Sequence, residues 1–358
     1  MIRRKTKQIS VGGVVVGGDA AVSVQSMTNT PTQDTAATLA QLRALEDAGC
    51  DIARVTVPDE ESARALYIYK SSGLKMPIVA DIHFSARLAV LAAEAGADKI
   101  RINPGNIGGD DKVKLVVDAC KARNIPIRIG VNSGSLEKHI LEKHGRPSPE
   151  ALAESAFYHT ALLEKFDFTD IIIAAKSSSV ADTIAANRII AERCEYPLHL
   201  GVTEAGGDAR GTLKSAIGIG ALLADGIGDT LRVSLTADPT LEVKRGREIL
   251  AALGLDGTGV DVISCPTCGR TKVGLIELAE KFEAALAQRF SNHKFKRRYT
   301  VAVMGCAVNG PGEAREADFG IAGGIRDALL FRHGVPVRKI AEDEIVETLL
   351  AELTQAES

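Results

Sequence analysis

Short runs of β-branched and aliphatic residues recur along the chain, beginning near Ser23, Ile52, Ile78, Lys99, Ile127, Ile171, Leu198 and Thr230. Between them apolar residues return every three or four positions, as in Leu39, Leu42 and Leu45 or Leu88, Leu91 and Ala95, the spacing of one helical face. Several of these stretches close on a glycine (Gly49, Gly96, Gly226), a residue that accepts the left-handed conformation ending a helix. Eight strand–helix units in about 230 residues predict an α/β fold, a (β/α)8 TIM barrel. An open doubly wound sheet is the competing reading, but it would use five or six units. Residues 1–22 read as a glycine-rich hairpin plugging the bottom of the barrel. The long spacing between Ile127 and Ile171 holds an insertion, 133–147, with His139, His144 and the lysines Lys138 and Lys143; it reads as a solvated lid over the active face.

The pattern changes after Gly254, where a glycine-rich stretch to Gly259 reads as a linker. Beyond it come a cysteine-bearing strand and turn, a helix over 272–290, a strand over 300–304, further β-like runs and a helix near 344–353. The expected organisation is a barrel over 1–254 and a smaller α+β domain over 255–358.

Composition narrows the function. Lys and Arg number 43 against 46 Asp and Glu, a net charge of −3 that offers no basic field for nucleic acid. Trp is absent and aromatics make up 4%, which disfavours base-stacking platforms. No apolar run approaches the ~20 residues that span a bilayer, and Val14-Val15-Val16 is too short for a signal-peptide core. The expectation is a cytoplasmic globular protein with no nucleic-acid or membrane partner.

In a barrel the reactive side chains come from the C-terminal strand ends. Read in order, those ends carry Arg54 and Thr56, Asp81 and His83, Arg101 and Asn103, Arg128 and Asn132, Lys176, Glu204, and Arg232 with Ser234. Five cations thus converge in one mouth, with Asp81 and Glu204 to balance part of the charge. Like charges gathered out of water need an anion, so the mouth reads as a site for a multiply anionic ligand gripped by arginine forks, a diphosphate rather than a carboxylate. Individual arginines have a plainer reading as salt-bridge partners. Asp81 and His83 form a candidate orienting or acid/base couple, and Glu204 a candidate proton donor if the mouth closes and desolvates it. The Gly218–Gly228 stretch lacks a G-x-G-x-x-G pattern, so a dinucleotide fold gains no support there.

Six cysteines divide into two groups. Cys50, Cys120 and Cys194 fall on barrel helices and read as inert core residues. Cys265-Pro-Thr-Cys268 and Cys306 belong to the second domain. Three thiolates with one weak oxygen ligand suit a [4Fe–4S] cluster that keeps one iron exchangeable, and Glu313, on an Asn-Gly-Pro-Gly turn, is the oxygen candidate. Zinc and a redox disulfide remain open on the cysteine spacing alone.

The chain resembles bacterial 4-hydroxy-3-methylbut-2-enyl diphosphate synthases, iron–sulfur enzymes of the non-mevalonate isoprenoid pathway. The resemblance spans essentially the whole chain. It rests on Val24-Gln-Ser-Met-Thr-Asn29, Val79-Ala-Asp-Ile-His83, Arg101-Ile-Asn-Pro-Gly-Asn106, Gly130-Val-Asn-Ser-Gly134, Gly201-Val-Thr-Glu-Ala-Gly206, Ser264-Cys-Pro-Thr-Cys-Gly-Arg270 and Asn309-Gly-Pro-Gly-Glu313. It implies two-electron reduction of 2-C-methyl-D-erythritol 2,4-cyclodiphosphate, with ring opening and loss of water, and flavodoxin or ferredoxin as donor. It implies one [4Fe–4S] cluster per chain on Cys265, Cys268, Cys306 and Glu313. Diphosphate-binding roles fall on Arg54, His83, Arg101, Arg128, Lys176 and Ser234, with Asp81, Asn132 and Glu204 around the reacting carbons. The rival readings are a non-redox barrel transferase acting on a diphosphate with a zinc-stabilised appendage, and a redox sensor without turnover.

Barrel helices return from the mouth to the bottom, so the eighth delivers the chain to the wrong face for its own cluster to cover its own mouth. The stretch 254–264 reaches at most ~35–40 Å fully extended. A head-to-tail homodimer, each cluster domain covering the partner's barrel, is the expected assembly, as it is in the family the chain resembles.

Overall fold

The computed structural model describes residues 2–358 except 291, 292, 294, 307–311, 313 and 314. It comprises two compact units, Met1–Leu255 and Asp256–Ser358, each described separately below.

The first unit opens with a hairpin, β1 (Ile9–Val11) and β2 (Val14–Val16), turned by Gly12 and Gly13 at positive φ. Eight parallel strands follow: β3 (Ser23–Met27), β4 (Ile52–Thr56), β5 (Ile78–Asp81), β6 (Lys99–Ile102), β7 (Ile127–Asn132), β8 (Ile171–Lys176), β9 (His199–Leu200) and β10 (Thr230–Leu231). Their order is β8-β7-β6-β5-β4-β3-β10-β9, and a parallel bridge between Ile173 and Leu198 joins the ends of that series into a barrel. Side-chain oxygens of Asp34, Asp59, Ser85, Ser148, Ser179 and Asp238 each accept a backbone N–H at a helix start. Gly49, Gly96 and Gly226 take positive φ where helices end, as expected.

Alternation along the strands sorts the core. Ala53, Val55, Ala80, Ile100, Ile102, Ile127, Ile129, Ile171 and Ile173 face the helices in one large apolar cluster. The opposite face points into the barrel. Its lowest layer is apolar, with Ile52, Val79 and Ile172 packed against Ile9, Val11 and Val16, so the hairpin seals this end. The next inward residues, Gln25, Lys99, Arg128, His199 and Thr230, are buried polar side chains where barrels normally hold branched aliphatics.

The insertion departs from the lid expected of it. Residues 138–144 form a helix; Leu136 and Ile140 are buried, Glu137 accepts from Ser155 and pairs with His159, and Lys143 and His144 pair with Glu154. Apolar residues among its lysines anchor it to the helix Pro149–Glu164.

The second unit is a mixed five-stranded sheet in the order β11 (Gly259–Ser264), β12 (Arg298–Met304), β13 (Phe319–Gly323), β14 (Asp327–Arg332), β15 (Val335–Ala341), with helices Leu275–Arg289 and Ile345–Glu357. Phe282, Tyr299, Val301, Ile321, Leu330, Leu349 and Leu353 form its core. Among the described residues no helix is long and apolar enough to cross a membrane.

Candidate functional site

The C-terminal strand ends enclose a cavity of about 140 Å3 lined by Arg54, Asp81, His83, Arg101, Arg128, Gly130, Asn132, Ala174, Lys176, Thr203, Arg232 and Ser234. Every binding residue expected at the strand ends is therefore brought to one place. Glu204 sits apart from the cations, exposed at φ +52°, in an adjoining cavity of about 660 Å3 that shares Asn132 and Thr203 with the first.

The charges are only partly balanced. Arg101 donates to Asp81 Oδ1 at 3.1 Å and to the Gly130 carbonyl at 2.8 Å, while Arg54 Nε lies 3.7 Å from Asp81 Oδ2. Burial pushes the Asp81 carboxyl up, but Arg54, Arg101, Arg128 and His83 outweigh it and hold the group down at about 2. Arg232 forms a two-pronged pair with Glu242, both contacts 3.1 Å, and Glu242 also accepts from Ser26 and the Leu235 amide. Glu242 corrects the charge count made from the strand ends: its helical position, Pro239–Ala252, carries no sequence signal of burial, yet it is 3% exposed.

Arg128, Lys176 and Lys99 have no carboxylate partner among the described residues. Arg128 is 1% exposed, and its Nε and Nη2 find no acceptor; Arg101 Nε is in the same state. Burial first, then neighbouring cations, push Arg128 and Lys176 well below their ordinary values, and burial takes Arg54 down to about 10 against the opposing pull of Asp81. The cavity thus resists further positive charge and presents N–H donors with nothing to receive them. Orphaned buried donors are costly, and an oxyanion with several lone pairs satisfies them. Two glycines give the cations room. A Cβ on Gly130 would lie 2.3 Å from Arg101 Nε, and one on Gly201 2.5 Å from Lys176 Nζ.

In the second unit the register Ser264 to Val303 lets Cys265 and Cys306 leave adjacent parallel strands at the same edge. Cys265 Sγ accepts the Gly305 amide at 3.3 Å, Thr271 N donates to the Cys268 carbonyl at 3.0 Å, and Lys272 N donates to the Gly305 carbonyl at 2.9 Å. Two of these bonds tie the segment of the Cys-Pro-Thr-Cys turn to Gly305, the neighbour of Cys306. Hydrogen bonds from the Arg270 backbone and side chain lower the exposed Cys268 thiol below its ordinary value. A sulfur that accepts amide N–H groups suits a thiolate ligand. Glu313 lies outside the described residues, among which no three His, Cys, Asp or Glu residues form a ready metal cage. Cys50 and Cys120 are buried and pushed up to about 12 by burial, consistent with inert core thiols.

The barrel's likeness to a type I 3-dehydroquinate dehydratase from Clostridium difficile, with TM-score 0.52 and 14% identity over 69% of this chain and 98% of that one, speaks to fold alone. Full-length relatives say more. The chain is 54% identical to the 4-hydroxy-3-methylbut-2-en-1-yl diphosphate synthase (flavodoxin) of Ruminiclostridium cellulolyticum, over 99% of this chain and 98% of the relative. It is 55% identical to the protein of the same name from Maridesulfovibrio salexigens, over 96% and 94%. The GcpE TIM-barrel domain matches residues 6–247 and the GcpE protein C-terminal domain residues 261–355. With both domains matched in order and more than half of all positions identical to such relatives, the chain belongs to the GcpE family.

Proposed function

We propose that the protein converts 2-C-methyl-D-erythritol 2,4-cyclodiphosphate to 4-hydroxy-3-methylbut-2-enyl diphosphate in isoprenoid biosynthesis, taking up two electrons and two protons and releasing one water. The observation that carries this is the buried, under-neutralised cation cavity in a chain of this family. Flavodoxin is the proposed donor, after the names of its relatives, with ferredoxin as an alternative.

In this reading residues 1–254 bind substrate and 255–358 hold one [4Fe–4S] cluster on Cys265, Cys268, Cys306 and Glu313. Such a cluster would supply single electrons and, at the iron held by the weak carboxylate ligand, an exchangeable coordination position. Arg54, Arg101, Arg128, Lys176, His83 and Ser234 clamp the diphosphate and fix the ring. As the ring C–O bond breaks, the departing phosphate oxygen gains charge, and the same guanidinium groups stabilise it. Asp81 holds Arg54 and Arg101 in place beside the reacting carbons with Asn132, and Glu204 protonates the hydroxyl that leaves as water. The zinc-appended transferase is set aside on family membership.

A head-to-tail homodimer with shared sites completes the proposal, in a cytoplasmic enzyme. The helix Pro239–Ala252 ends at the barrel face opposite the cavity, and residues 253–258 before β11 extend at most about 20 Å. Iron and sulfide analysis of protein purified without oxygen, electron paramagnetic resonance after reduction, and turnover of the cyclic diphosphate test the reading. Zinc at the thiols, or a reduced cluster with no turnover, would overturn it.

A further inference from the structure

Beneath the anion cavity lies a buried amine with no counter-ion. Lys99, on β6 two residues before Arg101, is 0% exposed. Its Nζ donates at 3.3 Å to Gln25 Oε1 on β3, and among the described residues no carboxylate oxygen lies within 4.0 Å of it. Arg128 on β7 and Arg54 on β4 are the charges that act on it, and it acts in turn on His199 on β9; Asp81 on β5, Lys176 on β8 and Arg232, just past β10, line the cavity together with Arg54 and Arg128. Arg101 stands above it on β6. Asp81 is engaged by Arg54 and Arg101, and Glu242 by Arg232. Gln25 Nε2 and both ring nitrogens of His199 also lack partners. The layer around Lys99 is therefore polar and crowded with positive charge, and among the described residues its nearby carboxylates are already engaged by arginines.

We propose that Lys99 is an ionisable floor of the site, a neutral amine while the barrel holds no anion and an ammonium once a diphosphate-class ligand enters. The lone pair on Nζ takes one proton from solvent, and no bond in the ligand changes. Desolvation and the charges of Arg128 and Arg54 disfavour the ammonium in the empty barrel. A polyanion above Arg128 reverses the sign of the local field and makes that ammonium favourable. Lys99 then acts as a positioning residue, adding positive potential under Arg128 only when there is negative charge to receive it. Binding and protonation are linked, so anion affinity falls as pH rises through the window in which the empty protein holds Lys99 neutral.

This inference rests on the diphosphate reading, and its test separates the two. The full-length protein, purified without oxygen, is titrated calorimetrically with inorganic pyrophosphate and with sulfate, a dianion that does not itself titrate near neutrality. Buffers of different ionisation enthalpy between pH 7 and 9 report the protons taken up. The wild type should take up a large fraction of a proton per anion, and Lys99→Met should take up markedly less with a flatter pH dependence of affinity. Lys99→Arg, permanently charged, should also flatten the profile. Sulfate binding to the wild type without proton uptake would overturn the proposal even if no variant folds, as would identical uptake by wild type and Lys99→Met. Failure of both anions to bind would overturn the diphosphate reading itself.

Discussion

Arg101 and Asp81 form an ion pair in the wall of the cavity, Nη1 standing 3.1 Å from Oδ1 with both side chains under one tenth exposed. Asp81 lies within reach of both Arg54 and Arg101, so its removal leaves two buried guanidinium groups uncompensated. Asp81→Asn should lower unfolding stability by about 3–5 kcal/mol, read from denaturant melts. The pH dependence has a fixed sign. The carboxyl sits at about 2 when folded, below its unfolded value of about 3.9, so its contribution is complete above that value and lost as pH falls through the folded one. The gap between wild type and variant should hold steady above about pH 5 and narrow below about pH 4. A constant gap across that range would contradict the pairing.

Arg128 predicts opposite signs for stability and binding. It is buried with no carboxylate partner among the described residues, and in the proposed function it serves a ligand rather than the fold. Arg128→Met should leave stability unchanged or raise it by about 1–4 kcal/mol, yet weaken pyrophosphate binding about 100-fold. Differential scanning calorimetry and titration calorimetry on the same samples check both halves.

Gly130→Ala adds a methyl group where Arg101 already stands, 2.3 Å from its Nε. The guanidinium must move away from Asp81 and from the cavity. Anion affinity should drop by about tenfold or more with every charged residue intact, and titration with pyrophosphate would show it.

Glu204 combines a strained backbone with a proposed proton. At φ +52° a non-glycine residue costs about 1 kcal/mol, so Glu204→Gly should match or slightly exceed wild-type stability. Glu204→Gln should keep the cluster's spectrum. Both variants should lose about 100-fold or more in turnover, and full activity in either removes the residue from the mechanism.

A chain carrying Arg128→Ala and a chain carrying Cys306→Ser should each be inactive alone. Mixed and allowed to reassort, they should recover about a quarter of wild-type turnover, since only the heterodimer assembles one intact site. No recovery despite demonstrated heterodimers would exclude shared sites.

Much of this architecture is legible in the chain because barrel strands announce themselves twice, by β-branched runs and by the helices between them. Even β9 and β10, two residues each, fall where the pattern puts them, β9 beginning at His199 against an expected Leu198. Side chains at strand ends were legible for the same reason. Glu242 was not, because a helix position becomes buried only when Ser26 and Arg232 close around it. Lys99 and His199 carry a signal that reading strand ends alone overlooks: period-two alternation puts Lys99 on the face of Arg101, and a lysine there contradicts an aliphatic barrel interior. The insertion misled because its charges outnumber Leu136 and Ile140, although two apolar anchors suffice to dock a short helix.

The hairpin β1–β2 makes the barrel a blind-ended vessel, closed below by Ile9, Val11 and Val16. Whatever enters must depart through the same rim, so a spent molecule obstructs its replacement until it clears the opening. Traffic is one-lane, and compounds that resemble the outgoing species should compete directly with the incoming one.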